Sequence, residues 1–168
     1  MPSSSLMTDT LFFFTKMTHT AYLGLGSNLG NKQQNIGKAV EKINELIGTV
    51  ECQSALFFSK PWGFSSDNDF VNAVVKCTTA LSPRELLHAV QKIEKELGKT
   101  TKSRKNINGR LLKGESYRDR IIDIDILLYD DLTVNEPDLQ IPHPLMAERD
   151  FVMVPLREIQ ENEKNEAR

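Results

Sequence analysis

No stretch of these 168 residues approaches the roughly 18 consecutive apolar side chains that a membrane-spanning helix needs, so no segment reads as one. Cysteine is scarce. Cys52 and Cys77 have no CxxC spacing and lie in apolar runs, which fits buried, reduced thiols of a cytoplasmic protein rather than a disulfide. The glycine-rich run LGLGSNLG, residues 23–30, has leucine where GxGxxG requires its third glycine, and it also lacks the GxxxxGK[ST] spacing. It is therefore not a phosphate cradle. The apolar core Leu11–Phe14 is too short for a signal-peptide h-region and has no basic segment before it. Residues 1–19 are expected to be a disordered leader, or an over-extended start with Met7 or Met17 as the natural initiator. No internal repeat is present.

What is there is enough chain for one domain with a real core. The net charge of −2 conceals an asymmetry. Residues 99–120 contain eight Lys and Arg against Glu115 and Asp119, a local charge of +6, which leaves −8 on the remainder. A basic segment on an acidic body points to an anionic partner, either a nucleotide or a nucleic acid.

The hydrophobic pattern divides the chain into alternating elements. Thr20 to Leu25 alternates as a strand does. A helix is predicted from Lys32, with Ile36, Ala39, Val40, Ile43, Leu46 and Ile47 at helical spacing, Asn31 capping the start and Gly48 closing the end. Val50–Ser59 and Phe70–Thr79 are strand-like and joined by the loop KPWGFSSDND. Ser82-Pro83-Arg84-Glu85 is a capping box with proline at the first helical position, ahead of the stripe Leu86, Val90, Ile93 and Leu97. After the basic loop come a strand, Ile121–Tyr129, a short helix near Leu145–Arg149, and a last strand, Phe151–Val154. The domain is expected over residues 20–157, with 158–168 a frayed polar tail. This order predicts an α+β fold of ferredoxin-like β-α-β-β-α-β type, a sandwich with a mostly antiparallel sheet.

Several residues are poorly explained by folding alone. In RIIDIDILLY, strand alternation puts Asp123 and Asp125 on one face, roughly 7 Å apart at their Cα atoms, with Ile121, Leu127 and Tyr129 beside them. Two such carboxylates stay ionised together only if something compensates them, and a pair of Mg²⁺ ions that also hold phosphate oxygens would do so. His143, between two prolines, has an aimed ring, and Arg149 and Phe151 follow it. Asn72 sits in a run of valine and alanine where asparagine is disfavoured; it either bonds neighbouring backbone or reads the edge of a heterocycle. Trp62, Phe64 and Phe70 could hold a planar ring or simply pack. Gln91 and Glu94 are neighbours on the second helix, by default on a solvated face.

Taken in order, LGLGSNLG, the aromatic and proline loop leading to DFVNAVV, LSPRELLHAVQKIEKELGK, DRIIDIDILLYD and IPHPLMAERDFVMVPL resemble the 6-hydroxymethyl-7,8-dihydropterin pyrophosphokinase family, from Ala21 to about Leu156. The resemblance implies transfer of pyrophosphate from ATP to the pterin hydroxymethyl group with release of AMP, in folate biosynthesis. It implies two Mg²⁺ ions on Asp123 and Asp125, and an arginine, Arg120, near the transferring phosphates. Ser59, Trp62, Phe70, Asn72 and Phe151 match its pterin pocket. Gln91, Glu94, Ile126, His143 and Arg149 match its nucleotide contacts. Lys102, Arg104 and Tyr117 are candidates for its basic-loop contacts. Gly26-Ser27-Asn28 would then shape the end of the first strand beside the pterin and close one wall of its pocket. Its partners would be these two small molecules, without nucleic acid or membrane, and the protein a cytoplasmic monomer. In one departure, Asp138 stands where some members carry a basic residue, and would repel phosphate. The alternative is a small RNA-binding module of the same topology. That needs a basic-aromatic strand motif, whereas this sequence offers the acidic DID pair.

Overall fold

The computed structural model describes residues 18–62, 64, 66–98 and 120–167. The expectations for residues 1–17 and for the basic loop, including Lys102, Arg104 and Tyr117, lie outside the described residues. Strands are β1 (His19–Ser27), β2 (Gly48–Gln53), β3 (Phe57–Ser59), β4 (Phe70–Thr79), β5 (Asp123–Tyr129), β6 (Val134–Glu136) and β7 (Leu139–Ile141). Helices are α1 (Lys32–Leu46), α2 (Pro83–Glu96) and α3 (Asp150–Glu166), with a single 3-10 turn at Met146–Glu148. The main sheet runs β2-β4-β1-β5, with β3 also on β4, and every pairing is antiparallel. That order is the ferredoxin-like one, and β6 and β7 form a separate hairpin.

Alternation along β1 explains the layers. Ala21, Leu23 and Leu25 are buried against Ile36, Ala39 and Ile43 of α1 and Leu86, Val90 and Ile93 of α2. Each buried leucine, isoleucine or valine among them contributes about 1.5–3 kcal/mol relative to exposure. The opposite face of the sheet meets α3 through Val74, Leu127, Val152, Leu156 and Ile159. With both faces covered, the middle strand β4 is buried almost throughout, as its continuous apolar run requires.

The helix starts are as the sequence dictates. The Asn31 side chain accepts from Gln34 N at 3.1 Å. Ser82 Oγ accepts from Glu85 N while the Glu85 carboxylate accepts from Ser82 N, a complete capping box with Pro83 at the first turn. Gly48 does not close α1, however. The helix ends at Leu46, and Gly48 opens β2 so close to β4 that a methyl group there would collide with the Thr78 carbonyl oxygen.

Four expectations are corrected. The predicted strand Val50–Ser59 is broken after Gln53, because the Ser54 hydroxyl takes the Val74 N–H at 2.9 Å and donates to Ala55 O. Side-chain bonding thereby displaces the ladder. In β5, the pairing with β1 passes from Tyr22↔Leu128 to Leu23↔Ile126, so Leu127 is an extra, bulged residue. The parity of the strand flips beyond it. Tyr129 therefore leaves the face of Asp123 and Asp125 and joins the α1–α2 core, its hydroxyl donating to Leu81 O at 2.8 Å. Phe151–Val154 is helix, not strand. Val152, Pro155, Leu156 and Ile159 share one buried helical stripe, and all but Val152 fall beyond the short window that suggested a strand. The polar tail is consequently the second half of α3 rather than a frayed end: Ile159 is fully buried, Glu158 accepts from Ala55 N, and Glu163 pairs with Lys76 at 2.9 Å. At the other end, His19 is already in β1, its Nδ1 2.7 Å from Asp130 Oδ2. Both cysteines are free, Cys77 in the α1–α2 core and Cys52 half-buried.

Ser82→Ala should destabilise the domain by about 1 kcal/mol through loss of the α2 cap, read as a lower urea midpoint with unchanged slope. Alkaline pH should act through α3. The Tyr22 hydroxyl donates to Glu163 at 3.1 Å, and burial, then the Glu163 carboxylate, push its pKa up to about 12. Tyr129 is likewise raised to about 12, chiefly by burial. A folded pKa above the unfolded value of about 10 means that the stabilisation is complete below that pH and is lost as pH rises toward 12. Tyrosinate absorbance should lag behind that of the unfolded chain, and Tyr22→Phe should remove part of the alkaline loss of stability.

Candidate functional site

A cavity opens on the α3 side of the sheet, at the end where apolar side chains give way to small and polar ones. Gly24 and Gly26 face it from β1, directly opposite Asp125 and Asp123 of β5. Cross-strand neighbours in an antiparallel pair have Cβ atoms about 5 Å apart. With glycine on one side of each pair, no cross-strand side chain stands against either carboxylate; Leu127 packs over Gly24, and Asn72 and Phe70 over Gly26. Asp123 is buried and Asp125 half-buried. Arg120, just before β5, pairs with Asp123 through Nη1–Oδ2 at 3.0 Å, both side chains largely shielded from solvent.

The other end of the cavity is flat and apolar. Trp62, Phe64, Phe70 and Phe151 line it. Phe64 and Phe70 meet edge to face, with centroids 6.3 Å apart. The buried Arg149 guanidinium lies 4.5 Å over the Trp62 ring and 5.6 Å from the Phe151 centroid, a cation–π arrangement. Asn72 is buried, with its Nδ2 donating to Phe57 O at 3.1 Å and to Ser59 Oγ at 2.8 Å. Since a carbonyl can only accept, this fixes the amide with its oxygen toward Gly26. The side chain thus bonds its neighbouring backbone and still presents an acceptor.

Of the candidates read from sequence, Arg120, Asp123, Asp125, Ser59, Trp62, Phe70, Asn72, Arg149 and Phe151 all line this one cavity. Gln91, Glu94, Ile126 and His143 do not; three of them flank or belong to β5. Gln91 is exposed on α2. Glu94 is buried instead of solvated, its carboxylate accepting from Ile124 N at 3.0 Å. His143 donates its backbone N–H to Leu127 O at 3.0 Å, and its Nδ1 accepts from Leu145 N. Glu94 and His143 therefore cover the outer edge of β5, with Ile126 between them in the strand. Sequence reasoning missed Lys60, which lines the cavity two residues before Trp62, and Gly24, whose i−2 relation to Gly26 was the available signal. Asp138 pairs with Arg84 at 2.6 Å, and the hydrogen bond from that guanidinium keeps its carboxyl below the ordinary range.

The carboxylate pair suits a hard divalent cation such as Mg²⁺, which takes one or two protein carboxylates and completes its shell with water and phosphate oxygens. Among the described residues no group of three or more His, Cys, Asp or Glu forms a closed metal cage. Two carboxylates on one strand face, both lining the cavity, are a donor set such an ion could use.

Comparison with known proteins bears on this arrangement. Residues 22–161 match the profile of 7,8-dihydro-6-hydroxymethylpterin-pyrophosphokinase (HPPK). The chain is 42% identical over 139 residues to a 2-amino-4-hydroxy-6-hydroxymethyldihydropteridine pyrophosphokinase of Porphyromonas gingivalis, covering 82% of this chain and 88% of that one. It is 41% identical over 143 residues to the protein of the same name from Aquifex aeolicus, covering 85% and 81%. In fold it is similar to wild-type Plasmodium falciparum HPPK-DHPS crystallised with SDX-DHP. The TM-score is 0.63 at 14% identity, and the match covers 82% of this chain but 40% of that longer one.

Gly26→Ala tests the wall. A Cβ at this position would stand 3.2 Å from Asn72 Oδ1, and Asn72 is pinned by two bonds and cannot easily give way. Overpacking of this kind costs about 1–3 kcal/mol. Titration of the variant should show about tenfold weaker binding of a planar heterocycle, with ATP binding much less affected.

Proposed function

The chain belongs to the 7,8-dihydro-6-hydroxymethylpterin-pyrophosphokinase family, and we propose that it transfers pyrophosphate from ATP to the hydroxymethyl group of 6-hydroxymethyl-7,8-dihydropterin in this cavity, releasing AMP. The observation that carries this is the joining, in one cavity, of a flat aromatic end with an oriented amide to a charged end with two carboxylates and an arginine.

The pterin would lie among Trp62, Phe70 and Phe151, displacing or restacking Arg149. Asn72 Oδ1 would accept an N–H from its edge, and Ser59 would hold Asn72 in place. This sets the hydroxymethyl group toward Asp123 and Asp125. The hydroxymethyl oxygen then bonds to the β-phosphorus of ATP as the bond from that phosphorus to the α,β-bridging oxygen breaks. AMP leaves with the bridging oxygen and its electron pair, and the hydroxyl proton passes to solvent. Phosphoryl-type transfer needs alignment and charge stabilisation rather than a covalent intermediate. When bound on Asp123 and Asp125, two Mg²⁺ ions would neutralise the triphosphate and template the in-line geometry. Arg120 would offset charge on the equatorial oxygens, in a partly shielded site where such contacts are strong. The adenosine end would run along the outer edge of β5, where Glu94, Ile126 and His143 gather near Gln91. Moved off the rings by the pterin, Arg149 would turn to the nucleotide.

The proposed setting is a monomer acting in the cytoplasm on two small molecules. Among the described residues no helix is long and apolar enough to cross a membrane. The RNA-binding alternative has no support: helices cover both faces of the sheet, and the cavity left on one of them carries two carboxylates that would repel phosphodiester.

AMP should form only when ATP, Mg²⁺ and the hydroxymethyl pterin are all present; AMP without the pterin, or none at saturation, would refute the reading. Asp125→Asn should lower kcat by about 100-fold or more while circular dichroism stays unchanged. Near-normal turnover in that variant would remove Asp125 from the metal site.

A further inference from the structure

Asn28 follows the last residue of β1, is 1% exposed, and does not line the cavity. Its contacts converge on one residue of the site. The Asn28 backbone N–H donates to Arg120 O at 3.0 Å, and its side-chain Oδ1 accepts from Arg120 N at 2.6 Å. One residue thus holds both backbone polar groups of Arg120. The remaining end of the amide, Nδ2, donates to Asn68 O at 3.2 Å, which orients the group so that its oxygen meets Arg120. Asn68 lies in the segment leading to Phe70 and is tied down by the Ser66 hydroxyl, and the Lys32 ammonium donates to the adjacent Asp69 carbonyl.

From this we infer that Asn28 is a positioning residue for the transfer step: it sets the point from which the Arg120 guanidinium reaches Asp123 and the phosphates. The assignment rests on the pyrophosphokinase reading of the cavity. Arg120 stands three residues before β5, at the end of the basic segment, and the pairing of β1 with β5 begins at Gly26↔Asp123. The two bonds from Asn28 carry the contact between these chain segments beyond that ladder. The task needs a donor and an acceptor on one short planar group. Aspartate lacks the donor, serine falls short of spanning both, and leucine would leave the Arg120 N–H buried without this acceptor, a loss of the full desolvation of that group. The same geometry links the aromatic end to the charged end, since the amide bridges the segment before Phe70 and the residue before β5.

A double-mutant cycle separates this role from plain structural support. Asn28→Ala should lower kcat by about 10- to 100-fold, the scale of a small misplacement of a reacting group. Pterin affinity, followed by the fluorescence of Trp62, the only tryptophan in the chain, should stay within about threefold. In an Arg120→Ala background the same substitution should cost less than about twofold more, because residues acting through one another are not additive. An equal loss of kcat in both backgrounds, a parallel loss of pterin affinity, or a kcat within about twofold of wild type would overturn the assignment. If Asn28→Ala does not fold, Asn28→Ser, which retains a hydroxyl acceptor at shorter reach, enters the same cycle with the same expected non-additivity. A wild-type protein that forms no AMP brings down both readings; an active one with an additive cycle brings down only that of Asn28.

Discussion

The site depends on the register of β1 against β5, which sets Gly24 opposite Asp125 and Gly26 opposite Asp123. Cross-strand neighbours normally fill one another's space. With glycine on the β1 side, no cross-strand side chain crowds the carboxylates of β5, and both of them line the cavity. A shift by one residue would turn both carboxylates into the α1–α2 core and leave them unpaired there, at prohibitive cost. The register is held by the apolar residues between: Leu23 and Leu25 on β1 and Ile124 and Ile126 on β5 all face the same buried core.

The face that carries the cavity serves two purposes along its length. At one end Val74 and Leu127 bury the apolar stripe of α3. At the other, the same face carries glycine, asparagine and aspartate, so packing gives way to binding. α3 bridges the two. Its middle anchors on the sheet, while its first turn and the residue before it bring Phe151 and Arg149 to the cavity. Contacts far from the chemistry, such as Glu163 with Tyr22 and Lys76, thereby help to fix the aromatic wall.

Charges in the site are arranged in compensating groups. Asp123 is paired with Arg120, and Arg149 lies against aromatic rings. A shielded ion pair such as Arg120–Asp123 is weak evidence for stability, since desolvation offsets much of its attraction. What it does is keep a guanidinium beside the carboxylates, where the proposed transfer would use it. On the edge of β5, Glu94 likewise takes the Ile124 N–H and His143 the Leu127 carbonyl.

Local chemistry settled much of this protein in advance. The caps at Asn31 and Ser82 act over three residues, the alternation of β1 over six, and the i, i+2 spacing of Asp123 and Asp125 within one strand, so each was legible from neighbouring residues. The misread elements were governed by partners distant in the chain. Ser54 breaks a strand because Val74 offers it an N–H, and Leu127 bulges because Tyr22 and Leu23 impose the pairing. Phe151–Val154 is helical because a stripe reaching to Ile159 finds the sheet. The site shows the same division. The sequence alone determined which residue types were present and which two carboxylates shared a face. Only the tertiary structure decided that glycines lie opposite them, that Glu94 is buried against β5, and that Asn28 grips Arg120 from 92 residues away. Those outcomes come from strand register and chain crossing, which no local pattern encodes.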